Sequence, residues 1–461
     1  MDIAANPIQP PPVPAPTVNR LLAIDVTRGF ALLGIFFVNI QFFAEPFGSY
    51  MRQTPESSDP LTIFCFYFVK IFCEGKFYPL FSMLFGMGLA LQMQSVLNRG
   101  GEFYSLYLRR LAWLFFMGLT HALLLWYGDI LFIYSIAGLV LMFCVRFPPR
   151  VLLGIGGGLI VLTSVVFGGL SALGTLGGSM PPPAAPQSSL KSPPHTDTEP
   201  ATATPATEAE SSKPVTPFWR LIQGFKNRTV TDASTGVWLE AETEAYRDGP
   251  WLQSFLFRAM SWGMMLIIGM FGFIWHIVGM FFIGAGLLRS GLFTPAGQRF
   301  HIPILLTGLC VGIPGAAIGV LLPALVGTKW YTLGPSAFLL MSCGPLVSLF
   351  YLMSFALLVR HGIAKPITFI LSSVGRMALT NYLTQTVVST FVFYHWGLAQ
   401  FGSWTRPERC AFVLIVFACQ CLFSVLWMQA FRFGPMEWLW RSVTYFKPQP
   451  MLRTRREPEA V

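Results

Sequence analysis

The sequence predicts an all-α, polytopic integral membrane protein. Of its 461 residues, 54% are hydrophobic and only 11% are charged, and the mean hydropathy is +0.58. Soluble domains carry about 25% charged residues. Repeated apolar runs of about 20 residues favour helices over a β-barrel, because barrel strands would be short and would alternate in polarity. The fold class is therefore a bundle of membrane-spanning helices.

Ten apolar runs have the length that a helix needs to cross a bilayer. We predict these spans at residues 29–46, 77–94, 110–127, 130–146, 151–172, 262–288, 302–323, 336–359, 378–397 and 410–431. The run at 61–73 is too short to span alone, so we expect an interfacial or re-entrant helix there, or an extension of the second span. Residues 252–261 are expected to form an amphipathic lead-in to the sixth span.

A long polar segment divides the predicted spans into two bundles of five. In chain order we expect a disordered N-terminal tail, an N-terminal bundle, an extracytoplasmic loop, a C-terminal bundle and a basic cytoplasmic tail at 1–19, 20–172, 173–254, 255–447 and 448–461. Within the loop, residues 178–217 are rich in Pro, Ser and Thr and lack the apolar surface for a packed core, which predicts disorder. Residues 218–250 regain aromatic side chains, so a surface helix is expected there.

The positions of Lys and Arg predict the orientation. Basic residues gather in the short loops that follow spans two, four, six and eight, and in the C-terminal tail. With ten spans all of these lie on one side, and the positive-inside rule puts that side, with both termini, in the cytoplasm. We therefore expect a multi-pass protein of the cell inner membrane.

The composition argues against several other classes of function. The net charge of +10 follows the loop pattern and is not a nucleic-acid signal. The eight cysteines lie in or beside apolar runs without CxxC or Cys/His spacing, so we interpret them as small buried hydrophobes and predict no metal site. The sequence has no Walker loop, dinucleotide fingerprint, HExxH motif or nucleophile elbow.

The first apolar run, RLLAIDVTRGFALLGIFFVNI at residues 20–40, contains three polar side chains. Asp25 and Arg28 lie one helical turn apart near the cytoplasmic end, where they can pair or hold an anionic headgroup. Asn39 lies ~16 Å further along the helix, near mid-membrane, where lipid offers an amide no partner. Asn39 is therefore a candidate site residue, with hydrogen bonding between helices as the alternative.

Histidines also occur at membrane depth. His121, in the third span, should lie at a depth similar to that of Asn39. An ionisable side chain there normally faces the bundle interior or a watery cavity, and a neutral imidazole can accept a proton from a hydroxyl or amine. We take His121 as the candidate base, with a structural histidine as the alternative. His276, in the sixth span, has no partner that the sequence identifies.

Three charged residues are expected at the outer mouth of the bundle. Glu74 and Lys76 lie just before the second span, and Asp129 lies in the tight turn between spans three and four. At the surface, Asp129 can cap the following helix, and an exposed Glu74–Lys76 pair would contribute little stability. They are candidate binding residues if they line the entrance to the cavity that holds His121.

The stretch SSVGRMALTNYLTQT, residues 372–386, leads into the ninth span and carries a polar stripe. Arg376 opens it, and Thr380, Asn381 and Gln385 follow at helical spacing. Such a stripe must face protein or water, so these are candidate binding residues, with packing between helices as the alternative. The segment FGPMEWLWRSVTYF after the last span is expected to be a short interfacial helix, with contact to a cytoplasmic cofactor as the alternative.

Five motifs together resemble the YeiB-like family of bacterial inner-membrane proteins, whose C-terminal part is a domain of unknown function. They are RLLAIDVTRGFALLGIFFVNI, EGKFYPLFSMLFGMGLALQ, THALLLWYGDILFIYSIAGL, GRMALTNYLTQT and FGPMEWLWRSVTYF. These motifs occur in order at both ends of the chain, outside residues 173–254. The family has no firmly assigned reaction.

A more distant resemblance is to the transmembrane acyltransferases, which include enzymes that O-acetylate surface polysaccharides. Their first helix often begins with an Asp-x-x-Arg pattern similar to Asp25–Arg28, followed in the same helix by a catalytic histidine. This chain has Asn39 in that place. The resemblance implies acyl transfer in which another residue acts as the base, and we assign that role to His121.

We therefore expect an acyltransferase with a cytoplasmic acyl-CoA-type donor and no permanently bound cofactor. The donor would bind beside Asp25 and Arg28, and the acceptor hydroxyl or amine would belong to a small molecule, glycan or lipid. Asn39, with Asn381 or Gln385, would donate hydrogen bonds to the developing oxyanion. A transporter of a small solute or lipid-linked substrate, and a non-catalytic membrane protein, remain the alternatives.

Overall fold

The predicted all-α fold is confirmed in the part of the chain that the structure describes. The computed structural model describes residues 18–50, 52–98, 100, 102–176 and 236–453. Within these ranges the regular elements are helices and no β-strand occurs. The predictions for most of the N-terminal tail, the disordered stretch and the end of the basic tail fall on 1–17, 178–217 and 454–461, outside the described residues.

The helices follow the predicted apolar runs. In the N-terminal half they are α1 (Val18–Ala44), α2 (Phe47–Tyr50), α3 (Pro60–Phe68), α4 (Phe77–Leu97), α5 (Phe103–Leu124), α6 (Leu131–Cys144) and α7 (Pro149–Leu176). In the C-terminal half they are α8 (Gly236–Arg247), α9 (Trp251–Ile268), α10 (Ile274–Arg289), α11 (His301–Thr307), α12 (Ile313–Val326), α13 (Trp330–Arg360), α14 (Lys365–Arg376), α15 (Ala378–Phe393), α16 (Arg406–Ala430) and α17 (Pro435–Tyr445).

Wider π-helical turns interrupt three of the apolar segments. Val69–Cys73 continues α3, Gly269–Phe273 joins α9 to α10, and Gly308–Gly312 joins α11 to α12. Residues 252–261 thus lead directly into the sixth predicted span, as expected. In membrane helices such irregular turns are tolerated where neighbouring helices satisfy the freed backbone groups.

The membrane character of the chain rests on its long apolar helices. Six segments of the described chain are long and apolar enough to cross a membrane, at Leu22–Ala44, Pro60–Leu97, Pro149–Thr175, Gly297–Val326, Trp330–Arg360 and Arg406–Ala430. The other four predicted spans coincide with helices that are shorter or more polar, namely α5, α6, α10 with its lead-in, and α15. The protein is therefore a multi-pass membrane protein.

Helix α1 lies at the centre of the bundle and packs on α4, α13, α14, α15 and α16. Its crossing with α14 is especially close, because glycine occurs at the contact on both helices. A Cβ atom at Gly29 would collide with the backbone of α14, and a Cβ atom at Gly375 would collide with the carbonyl oxygen of Asp25. The crossing brings the neighbours of these glycines, Arg28 and Arg376, to one end of the bundle.

The turn between Val69–Cys73 and α4 is buried, whereas the sequence predicted that it would be exposed. Lys76 is fully buried, and its Nζ atom donates a hydrogen bond to the carbonyl of Lys70 (2.9 Å). Glu74 pairs with Lys70 (2.9 Å) and not with Lys76. The Ser348 hydroxyl, near the middle of α13, donates to the carbonyl of Lys76 (2.5 Å). Packing against the middle of a long apolar helix buries this turn inside the bundle.

Candidate functional site: an arginine-lined cavity and a buried histidine

A cavity of about 260 Å³ lies among α1, α4, α5, α6, α14, α15 and α17. Its walls come from both halves of the chain, so the site exists only when the two predicted bundles pack together. Sites that enclose a whole drug-sized ligand have volumes of about 300–1,000 Å³. The cavity is slightly smaller than this range.

One end of the cavity is strongly cationic. Four arginines line it: Arg28, Arg110, Arg376 and Arg441. Arg110 donates to the side-chain oxygen of Gln92 (3.0 Å), and its guanidinium lies 4.1 Å from the ring centroid of Trp440. These contacts hold the guanidinium in place. Converging arginines are typical of phosphate binding.

The opposite end of the cavity is apolar and deep. Along α4 the lining runs from Gln92 back to Phe81, eleven residues or ~16 Å of helix. Side chains such as Leu32 and Leu114 line the space between the ends, and the ring of Tyr382 lies at the inner end. A cationic mouth followed by an apolar channel fits an amphipathic anion.

Two carboxylates lie near the arginines. Asp25 accepts a hydrogen bond from Arg28 Nη1 (2.8 Å) in a partly exposed ion pair. Glu437, in α17, accepts hydrogen bonds from the backbone N–H of Leu379 (2.6 Å) and from the Thr380 hydroxyl (2.6 Å). These bonds fix α17 against the start of α15. Burial raises the pKa of the Glu437 carboxyl.

His121 and Asp129 form a buried pair beyond the inner end of the cavity. His121 Nδ1 lies 2.8 Å from Asp129 Oδ2, and both side chains are almost fully buried. Asp129 Oδ1 also accepts from the backbone N–H of Phe132 (2.7 Å), so it caps α6 as expected. Its predicted surface position was wrong. Gly118 lets α5 approach this turn so closely that a Cβ atom there would meet Phe132.

The other imidazole nitrogen contacts a hydroxyl. His121 Nε2 lies 3.0 Å from Thr386 Oγ1. With Nδ1–H donating to the Asp129 carboxylate, Nε2 is the acceptor nitrogen. The Thr386 hydroxyl has one proton, which it donates either to Nε2 or to the carbonyl oxygen of Tyr382 (3.4 Å). Hydroxyl, imidazole and carboxylate thus stand in the order of a general-base triad. The Tyr382 ring, 5.4 Å from the imidazole ring, separates His121 from the cavity.

The remaining polar residues of the ninth span bond to neighbouring helices. The Asn381 amide donates to the carbonyl of Val374 (3.2 Å) and to Ser424 Oγ (3.0 Å). The Gln385 amide donates to Gln420 Oε1 (3.0 Å). Both amides therefore join α15 to its neighbours, which matches the packing alternative. Neither lies among the described residues that line the cavity.

Two further sequence candidates also lie apart from the cavity. Asn39 is half-buried on α1 and is not among the described lining residues. His276 is fully buried, with Nδ1 3.3 Å from the Tyr78 hydroxyl and Nε2 3.1 Å from the carbonyl of Met341. These bonds cross from α10 to α4 and α13, so His276 ties helices together. The expected convergence of Asn39, His121 and Asn381 on one cavity does not occur.

Several residues of the site were missed in the sequence. Arg110 resembled an ordinary basic residue at a span end. Arg441 and Glu437 lay in a segment expected to be an interfacial helix, with contact to a cytoplasmic cofactor as the alternative. Thr386 was not singled out because the ninth span contains several other polar residues. The signal that could have found Arg441 and Glu437 was the motif FGPMEWLWRSVTYF itself, which places charges on a helix too short to span.

The fold and the site define a class: a helical, multi-pass membrane protein with an arginine-lined cavity beside a buried imidazole–carboxylate pair. A model of the family described as "Protein of unknown function (DUF418)" matches residues 287–447. The chain is 31% identical to the Escherichia coli (strain K12) protein named "Uncharacterized protein YeiB" over 436 residues, covering 93% of this chain and 97% of that one.

A second relative supports the same assignment. The chain is 29% identical over 447 residues to the Bacillus subtilis (strain 168) protein named "Uncharacterized protein YxaH", covering 95% of this chain and 98% of that one. No solved structure matches this chain significantly. The chain belongs to the YeiB-like family.

Proposed function

We propose that the protein is an inner-membrane acyltransferase that takes an acyl group from a cytoplasmic acyl-CoA-type donor. The observation that carries the proposal is the order of three features: four arginines, an apolar channel that ends at Tyr382, and, behind that ring, a histidine paired with a carboxylate. Each has a role in moving an acyl chain from a phosphate-bearing carrier to a hydroxyl or amine.

The donor binds by its phosphates at the arginine end. Arg28, Arg376 and Arg441 supply positive charge and N–H donors that a diphosphate would neutralise and pair with, and the apolar channel receives the pantetheine arm and acyl group. This end of the bundle carries the basic short loops, which supports a cytoplasmic location with both termini on the same side. The donor would then enter from the cytoplasm.

His121 acts as the general base. Asp129 fixes the Nδ1–H tautomer, so Nε2 is free to take a proton when the acceptor replaces the Thr386 hydroxyl as its partner. The acceptor oxygen or nitrogen attacks the thioester carbonyl carbon, the C–S bond breaks, and the CoA thiolate takes the proton from the imidazolium. Tyr382 must move aside for the thioester to meet the acceptor.

Sided membrane vesicles test the proposal. Labelled acetyl-CoA supplied to inside-out vesicles that contain the protein should acylate a membrane or luminal acceptor, whereas sealed right-side-out vesicles should show no transfer. Vesicles without the protein give the background. Absence of transfer in inside-out vesicles, with the protein folded and inserted, would refute an acyltransferase that uses this donor.

A permease is the second candidate, because π-helical turns interrupt three of the apolar segments. Interrupted helices are typical of transporters, whose sites lie near mid-membrane. In that case the arginine-lined cavity binds an anionic solute and His121 couples its movement to protons. Uptake of solute without acyl transfer would favour this function.

A further inference from the structure

Helix α17 forms one wall of the arginine cavity, although its 11 residues are too few to cross a membrane. The residues of α17 that line the cavity are Glu437, Trp440, Arg441, Thr444 and Tyr445. Apart from Thr444, every residue of this helix is half-buried or exposed. A large part of the cavity wall is therefore a peripheral helix that lies outside the spanning segments.

The chain just before α17 is tied to the chain just after it. Phe431 and Leu452 form an antiparallel bridge, and the backbone N–H of Arg432 donates to the carbonyl of Met451 (2.9 Å). Between these tied ends, the main helix contacts of α17 are with α5 and α15. Residues 434–448 can therefore move as one unit without breaking their base.

A carboxylate fastens α17 to the start of α15. Glu437 Oε1 accepts hydrogen bonds from the backbone N–H groups of Leu379 (2.6 Å) and Thr380 (3.1 Å), and Oε2 accepts from the Thr380 hydroxyl (2.6 Å). The N–H groups at the start of a helix have no partner within the helix, and the peptide dipoles there favour an anion. Glu437 is therefore held as a bound anion would be.

The position that this carboxylate occupies also suits a phosphate group. Arg441 interacts electrostatically with Glu437, and Arg376 lines the same cavity as Glu437 and Leu379. Backbone N–H groups at a helix start, together with guanidinium groups, are the donors that proteins commonly offer to phosphate. An external phosphate and the Glu437 carboxylate would compete for these donors.

We infer that α17 is a mobile lid at the arginine end of the cavity, held in place by Glu437, whose carboxylate occupies the position of a ligand's phosphate group. A phosphate-bearing anion displaces the carboxylate and accepts the hydrogen bonds from Leu379 and Thr380. The displaced Glu437 turns to solvent, and α17 moves on its tied base to admit the rest of the ligand. That this ligand is the acyl donor rests on the proposed function.

The test measures the association rates of CoA and inorganic pyrophosphate with the purified full chain in nanodiscs. Glu437→Gln keeps the shape of the side chain but removes the competing charge, so both rates should rise about 10-fold. Gly434→Ala releases the same contact by another route, because a Cβ atom there would meet Glu437 Oε2 and the Thr380 hydroxyl. It should raise both rates as well.

Glu408→Gln is the matched control. The Glu408 carboxylate also accepts from a backbone N–H (2.7 Å) and a hydroxyl (2.8 Å), both of Thr405 at the start of α16. Glu408 is not among the described residues that line the cavity. This substitution should leave the association rates of both probes unchanged.

A purely structural Glu437 predicts a different result. If α17 were a fixed wall, Glu437→Gln and Gly434→Ala would displace Arg441 and weaken binding without faster association. Unchanged or slower association in the folded variants would overturn the inference, as would a lack of binding of both probes to every variant and the wild type. Faster binding of pyrophosphate, with no binding of CoA or no acyl transfer, would support the lid and refute the proposed function alone.

Discussion

The Nδ1 atom of His121 lies 2.8 Å from the Oδ2 atom of Asp129, in a part of the bundle where neither side chain meets solvent. The same carboxylate caps α6 through its other oxygen. Asp129 therefore orients the imidazole of His121 and also stabilises the turn in which Asp129 itself lies. These contacts restrain both side chains, as the proposed general base would require.

Replacing Asp129 by Asn should separate these two roles. Asn retains the helix cap but no longer imposes the Nδ1–H tautomer, so acyl transfer should fall roughly 10²–10⁴-fold, the contribution of general-base catalysis, while the protein stays folded. Asp59→Asn is the matched control, because Asp59 caps α3 (2.8 Å to the Thr62 N–H) away from the histidine. Equal activity of the two variants would argue against an orienting role.

Neutralising the cavity arginines should weaken donor binding. Arg28→Gln, Arg376→Gln and Arg441→Gln should each raise the dissociation constant of CoA by about 10-fold or more, since each removes charge-assisted hydrogen bonds to phosphate. Binding measured by calorimetry should also weaken with added salt. Arg299→Gln, at an exposed position outside the cavity, should leave the affinity unchanged. Uniform effects from all four changes would point to general charge and not to a site.

The close crossing of α1 and α14 should tolerate no added methyl group. Gly375→Ala would push against the carbonyl oxygen of Asp25, so we expect a fall in melting temperature and loss of CoA binding, because Arg28 and Arg376 would move apart. Gly157→Ala, in α7, meets nothing within 4 Å and should be neutral or stabilising by about 0.5–1 kcal/mol. A well-folded Gly375→Ala variant with normal binding would show that the crossing is not tight.

Asn381 should matter for stability and not for chemistry. Its amide donates to Ser424 Oγ at 3.0 Å, and a double-mutant cycle with Asn381→Ala and Ser424→Ala should give a coupling of about 0.6 kcal/mol, typical of polar contacts in membrane proteins. Acyl transfer per folded molecule should be unchanged. A loss of transfer without a loss of stability would restore the oxyanion role expected from the sequence.

The sequence predicts helices well and long-range contacts poorly. Hydropathy located the helices, six of which are long and apolar enough to span a membrane, and residue chemistry identified Arg28, Arg376, His121 and Asp129 as candidates. Whether a polar residue faces a cavity or a neighbouring helix depends on contacts between distant segments. Local sequence cannot reveal these contacts, so Asn381 was indistinguishable from a site residue.

Burial in the turns was equally hard to predict. The turn at Lys76 is enclosed because α13, some 270 residues later, packs over it. Glu437 enters the cavity wall because the start of α15 offers it free N–H groups. Short polar segments look like surface loops until the helices that cover them are known.

The most direct test of the central claim compares two buried histidines in one assay. Transfer from labelled acetyl-CoA in inside-out vesicles is measured for the wild type, His121→Asn and His276→Asn, each normalised to folded protein. The account predicts that His121→Asn loses transfer by at least 100-fold, whereas His276→Asn retains it per folded molecule. Normal transfer by a folded His121→Asn variant would contradict the account.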